Sequence, residues 1–253
     1  MIKLSLLTLS LMMMSALTVN MAEQSFESNP ATYQAYLSRS VSDAQQSWVK
    51  EVSNAAAEVE KQPSNEDARF KLALVHYGLL NSTMRSKDET TLRNYIDDAV
   101  TNLEAIREKH AGEAMAILGA VYGLQMAYDP AKGMFLGPRS SSLLSKARKT
   151  DATSPLVWKL YGNSMYHTPE AYGGDVTEAI SAYEKALALY DAAPEKKKDN
   201  WMYIDTMAFL GQAYVKNNES AKAVAIYEKA LTAESSFGWV KYVLLPAAQN
   251  KKK

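Results

Sequence analysis

The chain has 253 residues, of which 47% are hydrophobic and 22% are charged, and its 28 basic residues balance its 28 acidic residues. This composition allows a packed core and excludes a disordered or collagen-like chain. The neutral balance gives no electrostatic footprint for nucleic acid, so we expect no nucleic-acid partner. The absence of cysteine excludes disulfides, thiolate metal sites and a cysteine nucleophile.

The first 22 residues have the pattern of a cleavable signal peptide. Lys3 precedes an apolar stretch over residues 4–17, and the chain turns polar after Ala22. The stretch is too short to span a bilayer, and a small residue before polar sequence suits signal cleavage. We therefore expect cleavage near Ala22 and no membrane insertion afterwards. Export without disulfides favours a bacterial periplasm or exterior over a eukaryotic extracellular setting.

The N-terminal half predicts helices that pair along the chain. Helix-forming sequence covers roughly residues 32–38, and a helix around Trp48 and Val52 is closed by Pro63. Together they predict a degenerate leading repeat at about 31–64. Helix pairs are expected at 67–110 and 112–153 because apolar residues recur there at helical spacing. These residues are Phe70, Ala73, Leu74 and Tyr77 with Ala99, Leu103 and Ile106, then Met115, Leu118, Gly119 and Tyr122 with Leu144 and Ala147.

The C-terminal half contains an internal repeat that can be aligned directly. Residues 178–187 match residues 222–231, and in each an aromatic lies between two alanines at steps of four and three. This spacing puts the three side chains on one helix face. A partner helix with its own glycine precedes each segment. The two sets are Trp158, Tyr161, Gly162, Met165, Ala179, Tyr183 and Ala186, and then Met207, Leu210, Gly211, Tyr214, Ala223, Tyr227 and Ala230.

These spacings resemble the tetratricopeptide repeat family, without a gap from Met207 to Ala230. The resemblance implies an all-α, right-handed solenoid of antiparallel helix pairs with long inter-helix loops. A single domain over 23–253 would hold repeats at 67–110, 112–153, 155–191 and 204–236 and a capping helix at 237–250 that stops near Pro246. Segments 132–139, 168–175 and 239–246 resemble periplasmic members of the family in gram-negative bacteria. This resemblance implies a soluble envelope protein in the periplasm and no established activity.

Long gaps between predicted helices are expected to form loops, at 81–91, 129–139, 168–175 and 192–200. Gly173, Gly174 and Asp175 should close a turn and cap the next helix. The loop at 129–139 either folds back or contacts a partner, because exposed apolar groups are costly. Ser140 would then start a helix, whose free N–H groups are candidates for binding a small anion. The loop candidates are Lys132, Met134, Phe135, Leu136 and Arg139.

The concave face of the predicted solenoid is the expected site for a protein or peptide partner. Lys159 and Asn163 resemble half of the clamp with which some tetratricopeptide proteins hold a peptide carboxylate. In the next repeat Asp205 and Phe209 occupy the corresponding positions, and Asp205 would repel that ligand. Two interpretations of Tyr166 remain open, a partner contact or packing against residues 169–172. The groove candidates are Lys71, Lys159, Asn163, Tyr166, His167, Gln212 and Lys216.

Enzymatic motifs are absent from the sequence. Gly-x-Ser-x-Gly, the Walker phosphate loop, Gly-x-Gly-x-x-Gly and His-Glu-x-x-His do not occur. His76, His110 and His167 fall in different repeats, so we predict no catalytic residue, metal site or cofactor. The favoured function is a non-catalytic periplasmic scaffold or adaptor. A solute-binding accessory that encloses a small ligand between groove and loops is the alternative, and an enzyme of unknown type is the third.

Overall fold

The structure, a computed structural model, describes residues 26–250, so the predicted signal peptide and the last three lysines lie outside it. The described chain is helical with short 3₁₀ turns, which confirms the predicted all-α solenoid. Within residues 26–250, no helix has the length and hydrophobicity that a bilayer span requires. The helices are α1 Pro30–Leu37, α2 Val41–Lys61, α3 Glu66–Ser86, α4 Glu89–Glu104, α5 Ala111–Tyr128, α6 Gly133–Thr150, α7 Pro155–His167, α8 Val176–Ala192, α9 Trp201–Lys216, α10 Ser220–Ala233 and α11 Leu245–Asn250.

Side-chain caps fix where many of these helices begin. Asn65 accepts hydrogen bonds from two backbone N–H groups of the first turn of α3, and Asn200 does the same for α9. Asp175 caps α8 in this way, and Gly173 before it has a φ of 91°. The predicted turn and cap at Gly173–Asp175 are therefore confirmed, because glycine adopts positive φ without steric cost.

The helices pack in successive pairs, α3 with α4, α5 with α6, α7 with α8 and α9 with α10, while α2 packs on α3. Glycines let the helices of a pair approach closely. A Cβ on Gly211 would lie 2.2 Å from the ring of Tyr227, and one on Gly162 would lie 2.8 Å from the ring of Tyr183. The two aromatic residues are fully buried. The repeat frame read from the sequence is thus the frame that packs the core.

Two of the expected loops are helical instead. Helix α3 continues to Ser86 and α4 begins at Glu89, so little of 81–91 is loop. Helix α6 begins at Gly133 and runs through Pro138. The proline is tolerated because the carbonyl that it leaves without an N–H partner is that of Met134, in the solvent-exposed first turn of the helix.

The predicted helix start at Ser140 is also wrong. Ser140 lies inside α6, and its hydroxyl donates to the carbonyl of Gly119 over 2.8 Å. The serine therefore ties α6 to α5 instead of capping a helix. Because backbone N–H groups in the middle of a helix are already paired, Arg139 does not stand beside free donors. The anion site expected at this position is not formed.

The helix of the C-terminal cap does not stop near Pro246 as predicted. A π-helical turn at Val240–Leu244 leads into α11, which passes through Pro246 and ends at Asn250. The N–H of Leu245 donates to the carbonyl of Val240, five residues earlier. This wider turn absorbs the proline, which has no N–H and whose ring conflicts with a regular α-helical turn before it.

Candidate partner-binding groove

The first helices of successive pairs, α3, α5, α7 and α9, contact one another in order and form the inner surface of the solenoid. Residues 26–39, here called the N-terminal segment, lie on this surface and include α1. At its start the ring of Phe26 meets the ring of Phe70 edge-on at 6.0 Å and the ring of His110 at 5.1 Å. The N–H of Asn29 donates to the carbonyl of Asp199 over 3.0 Å. The segment therefore joins early and late repeats.

A buried carboxylate anchors the start of the N-terminal segment. Glu27 is 7% exposed and accepts hydrogen bonds from the hydroxyl of Tyr190 at 3.0 Å and from Nδ2 of Asn200 at 2.7 Å. Burial raises the pKa of Glu27 to about 7, with a smaller contribution from the charge of Glu113, against the opposing effects of these hydrogen bonds and of Lys196. The docked segment therefore favours the protonated carboxyl group.

The second half of the N-terminal segment is held by two tyrosines. The hydroxyl of Tyr36 donates to Oδ1 of Asp205 over 2.6 Å, and the ring of Tyr36 stacks on Trp201 at 5.2 Å between centroids. The hydroxyl of Tyr33 donates to Glu234 in the loop after α10 over 3.0 Å. Because Trp201 also meets the ring of Trp48 at 5.7 Å, α2 and α9 lie close together around α1.

An ion pair closes the centre of the inner surface. Lys159 on α7 and Asp205 on α9 are 2.5 Å apart, between Nζ and Oδ2, and their side chains are 0% and 2% exposed. The Lys159 ammonium also lies 5.2 Å from the centre of the Phe209 ring. Taking two charges out of water costs several kcal/mol per ion, so each charge depends on the other.

This ion pair corrects the prediction that Lys159 faces an open groove. Its charge is neutralised by Asp205 and is not accessible to a ligand carboxylate. Asp205 also does not hold the equivalent repeat position. Counted from the repeat glycines Gly162 and Gly211, the equivalent of Lys159 is Ala208, and Asp205 lies about one turn earlier in its helix. The carboxylate clamp is therefore not assembled.

The other amide candidates are partly buried. Asn163 accepts a hydrogen bond from the hydroxyl of Tyr183 over 2.8 Å, which ties it to the core of its own helix pair. Gln212 holds the equivalent position in the last repeat, and its buried Nε2 has no hydrogen-bond partner among the described residues. The Oδ1 of Asn163 is thus already paired, and the Nε2 of Gln212 is not presented to solvent as the sequence interpretation expected.

Three predicted groove residues do come together at the edge of the inner surface. Tyr166 packs edge-on against Phe209 at 6.0 Å, and His167 meets Phe209 at 5.5 Å. The ammonium of Lys216 lies 5.1 Å from the ring of Tyr166, and Phe209 in turn meets Trp239 at 5.9 Å. We call this cluster the aromatic lip. It comprises Tyr166, His167, Phe209, Lys216 and Trp239, of which His167, Lys216 and Trp239 are exposed.

The candidates from the expected loop at 129–139 do not belong to this cluster. Met134 and Phe135 are 80% and 72% exposed in the first turn of α6, while Leu136 packs against the core. Lys132 borders a small cavity of about 200 Å³ with Tyr128 and Leu92. Arg139 is exposed on α6.

Lys71 borders a larger cavity beside the N-terminal segment. The cavity has a volume of about 490 Å³ and lies between that segment, α2, α3 and the start of α9. The ammonium of Lys71 pairs with Glu58 at 3.1 Å, and the lining also includes Glu27 and Glu51. Three carboxyl groups against one ammonium make this cavity a poor match for the small anionic ligand considered from the sequence.

The pair His110 and Glu113, considered from the sequence as a possible part of a metal site, belongs to a network that connects helix pairs. The two ring nitrogens of His110 contact Asp67 at 2.8 Å and Glu113 at 3.3 Å. Ser154 at the start of α7 donates to Glu113 over 2.8 Å. No group of three or more metal-ligating side chains is assembled within residues 26–250.

The repeat geometry agrees with a family comparison. Residues 204–237 match the tetratricopeptide repeat model, and they cover α9, α10 and the turn that follows. Residues 204–237 therefore form a tetratricopeptide repeat. A comparison with curated proteins gives no match. Among solved structures, BtubC (BKLC) from P. vanneervenii is similar at 14% identity with a TM-score of 0.46, over 85% of each chain.

The residues of the N-terminal segment that fill the inner surface were not found by sequence reasoning. Glu27 precedes the predicted repeats, whereas Tyr33 and Tyr36 lie in the degenerate leading repeat, and none of the three was matched to a family position. Their partners Asp205 and Trp201 lie far away in sequence, so no local spacing connects them. A cluster of tyrosines before the repeats, with the Asn-Pro helix start at residues 29–30, was the available signal.

The docking of the N-terminal segment should depend on pH through Glu27. Its pKa is raised to about 7 when buried, against 4.5 for the free group. The stabilisation from docking is thus fully present below pH 4.5 and falls as pH rises through 7. We expect Glu27→Gln, which stays neutral, to keep the segment docked at pH 8. The free energy that protects the α1 amides from exchange should then exceed that of wild type by on the order of 2 kcal/mol.

Hydrogen exchange of residues 30–37 between pH 4.5 and 8 measures this effect. The difference between wild type and Glu27→Gln isolates Glu27 from histidines that titrate in the same range. Burial lowers the pKa of His76 to about 4, and its effect on stability has the opposite sign. Parallel pH profiles for the two proteins would contradict the prediction.

Proposed function

We propose that the protein is a non-catalytic scaffold whose inner surface binds a protein or peptide partner in the bacterial periplasm. The observation that carries this proposal is that the inner surface already holds a peptide, the N-terminal segment, through side-chain hydrogen bonds at Glu27, Tyr33 and Tyr36. Helical-repeat proteins commonly use this face for recognition. The periplasmic location rests on the signal-like residues 1–22.

The aromatic lip supplies the accessible part of such a site. It borders the ion pair, since Phe209 contacts both Lys159 and Trp239. Exposed aromatic and cationic side chains beside a desolvated centre are the usual composition of anchor contacts. A partner that contacts the lip first would therefore approach the position that the N-terminal segment occupies.

Site-specific photocrosslinking tests the proposal. A photoreactive residue at position 167 in the aromatic lip should capture a partner in cells, whereas the same residue at position 172 should not. Tyr172 is the matched control because it is 83% exposed and lies outside the lip. Cell fractionation of the same cultures locates the processed chain. Identical crosslinks from both positions, or retention of an unprocessed chain in the cytoplasm, would contradict the respective parts of the proposal.

Binding of a small ligand is the second candidate, and the cavity beside Lys71 favours it. Its volume of about 490 Å³ lies in the range of small-molecule sites, and Trp201 in its wall reports occupancy by fluorescence. The excess of carboxyl groups selects cations, so a polyamine such as spermidine is the first probe. Saturable quenching that Ala55→Trp abolishes by filling the cavity would support this function, and no response at millimolar concentration would remove it.

A further inference from the structure

The N-terminal segment occupies the inner surface as a ligand would. What this arrangement implies about the partner depends on the proposed scaffold function and goes beyond it. Its side-chain anchors are Glu27 near one end, Tyr33 in the middle and Tyr36 near the other end. Pro30, Ala31 and Gln34 are exposed, whereas Thr32 and Ala35 are buried like Tyr33. The contacts thus resemble those of a bound peptide with one buried face that carries the anchors and one face toward solvent.

The attachment of this segment to the repeats allows it to leave. Helix α1 has eight residues, which is too short to be stable alone. Arg39 and Ser40 lie exposed between α1 and α2. The guanidinium of Arg85 donates to the carbonyls of Ser38 and Arg39 at 2.9 and 2.8 Å and so holds the end of the segment. Underneath lies the cavity of about 490 Å³, so the segment fills the surface incompletely.

Departure of the segment would expose groups with specific chemical requirements. Oδ1 of Asp205 would lose the hydrogen bond that the hydroxyl of Tyr36 donates, although Oδ2 would still pair with Lys159. The indole of Trp201 would lose a stacked ring. At the other end, Tyr190 and Asn200 would lose the acceptor that Glu27 supplies. Buried polar groups without partners are costly. An occupant therefore has to supply a hydrogen-bond donor to Asp205 and an acceptor to Tyr190 and Asn200.

We propose that the N-terminal segment is a displaceable intramolecular ligand, and that the partner is a peptide which replaces it with the same chemistry. Such a peptide presents a carboxyl group to Tyr190 and Asn200 and, further along, a phenol that stacks on Trp201 and donates to Asp205. The partner is thus an acidic, tyrosine-containing segment of another protein. A peptide recognised by its terminal carboxylate does not fit, because Lys159 is already paired.

Cutting the chain between the segment and the repeats tests this proposal. A specific protease site inserted between Arg39 and Ser40 of the full chain allows cleavage after folding, and the uncut protein is the control. A fluorescently labelled peptide of residues 26–39 should then exchange into the cut protein and bind the uncut one much more weakly. Because a hydrogen bond to a charged group is lost, the Tyr36→Phe peptide should bind about tenfold more weakly.

Matched peptides give the test its specificity. Gln34→Ala changes an exposed residue and should bind as the wild-type peptide does. Equal affinity of the Tyr36→Phe and wild-type peptides would overturn the proposal. Unfolding after cleavage, or failure of the cut segment to exchange, would also overturn it, because the segment would then be a permanent part of the core.

The outcome is separable from that of the scaffold function. If a partner crosslinks at position 167 and the peptide of residues 26–39 competes with it, both proposals are supported. If the partner crosslinks but the peptide does not compete, the scaffold function stands and displacement of the segment is wrong. Absence of any partner alongside normal peptide exchange would instead remove the scaffold function.

Discussion

Lys159→Met should lower the free energy of unfolding by about 3–5 kcal/mol, because it leaves a buried carboxylate without its counter-charge. Asp205 is 2% exposed, and its remaining described hydrogen bond comes from Tyr36. Because Asp205 is buried, water cannot solvate its carboxylate once the Lys159 ammonium is removed. Urea unfolding followed by far-ultraviolet circular dichroism measures the loss.

Two further variants separate the ion pair from ordinary packing. Lys216→Met removes an exposed lysine of the aromatic lip and should change stability by no more than about 0.5 kcal/mol. Lys159→Met combined with Asp205→Asn removes both charges while the new amide keeps an oxygen for Tyr36, so it should recover a large part of the lost stability. A single Lys159→Met variant as stable as wild type would show that the pair does not hold α7 and α9 together.

Gly211→Leu should destabilise the last repeat by about 3 kcal/mol or prevent its folding, because it overpacks a helix crossing. The added Cβ alone would lie 2.2 Å from the ring of Tyr227, which is 1% exposed and cannot move away. The ring fills the space beside the glycine, so the two helices would have to separate. Thermal melting of the purified variant measures the effect.

Gly123 in α5 provides the control for this substitution. Apart from its chain neighbours and the backbone of its own helix, nothing lies within 4 Å of a Cβ placed on Gly123. Gly123→Ala should therefore be neutral or stabilise by up to about 1 kcal/mol through helix propensity. Adding Tyr227→Ala to Gly211→Leu should restore part of the stability, because it removes the ring that causes the clash. Unchanged melting of Gly211→Leu would show that α9 and α10 do not cross at this glycine.

Local sequence was sufficient for the repeat architecture because the pairing of neighbouring helices depends on residues close in the chain. Met207, Gly211 and Tyr227 lie within one helix pair, and their spacing alone indicated which faces meet. The cap at Asp175 was predictable for the same reason, since a capping side chain acts on the next few residues. Pro138 and Pro246 were misread as helix boundaries, because only the surroundings show that exposed or π-helical turns accommodate them.

The sequence by itself determined the helix pairs, their glycine crossings and the N-cap at Asp175, since short-range packing and hydrogen bonding fix these features. The tertiary structure alone decided that the inner surface is closed by Lys159 and Asp205 and filled by the segment that carries Tyr36. Those contacts join α1, α7 and α9, whose relative positions depend on how the successive helix pairs curve. That curvature accumulates over many packed residues and leaves no spacing in the sequence from which Asp205 could be matched to Tyr36.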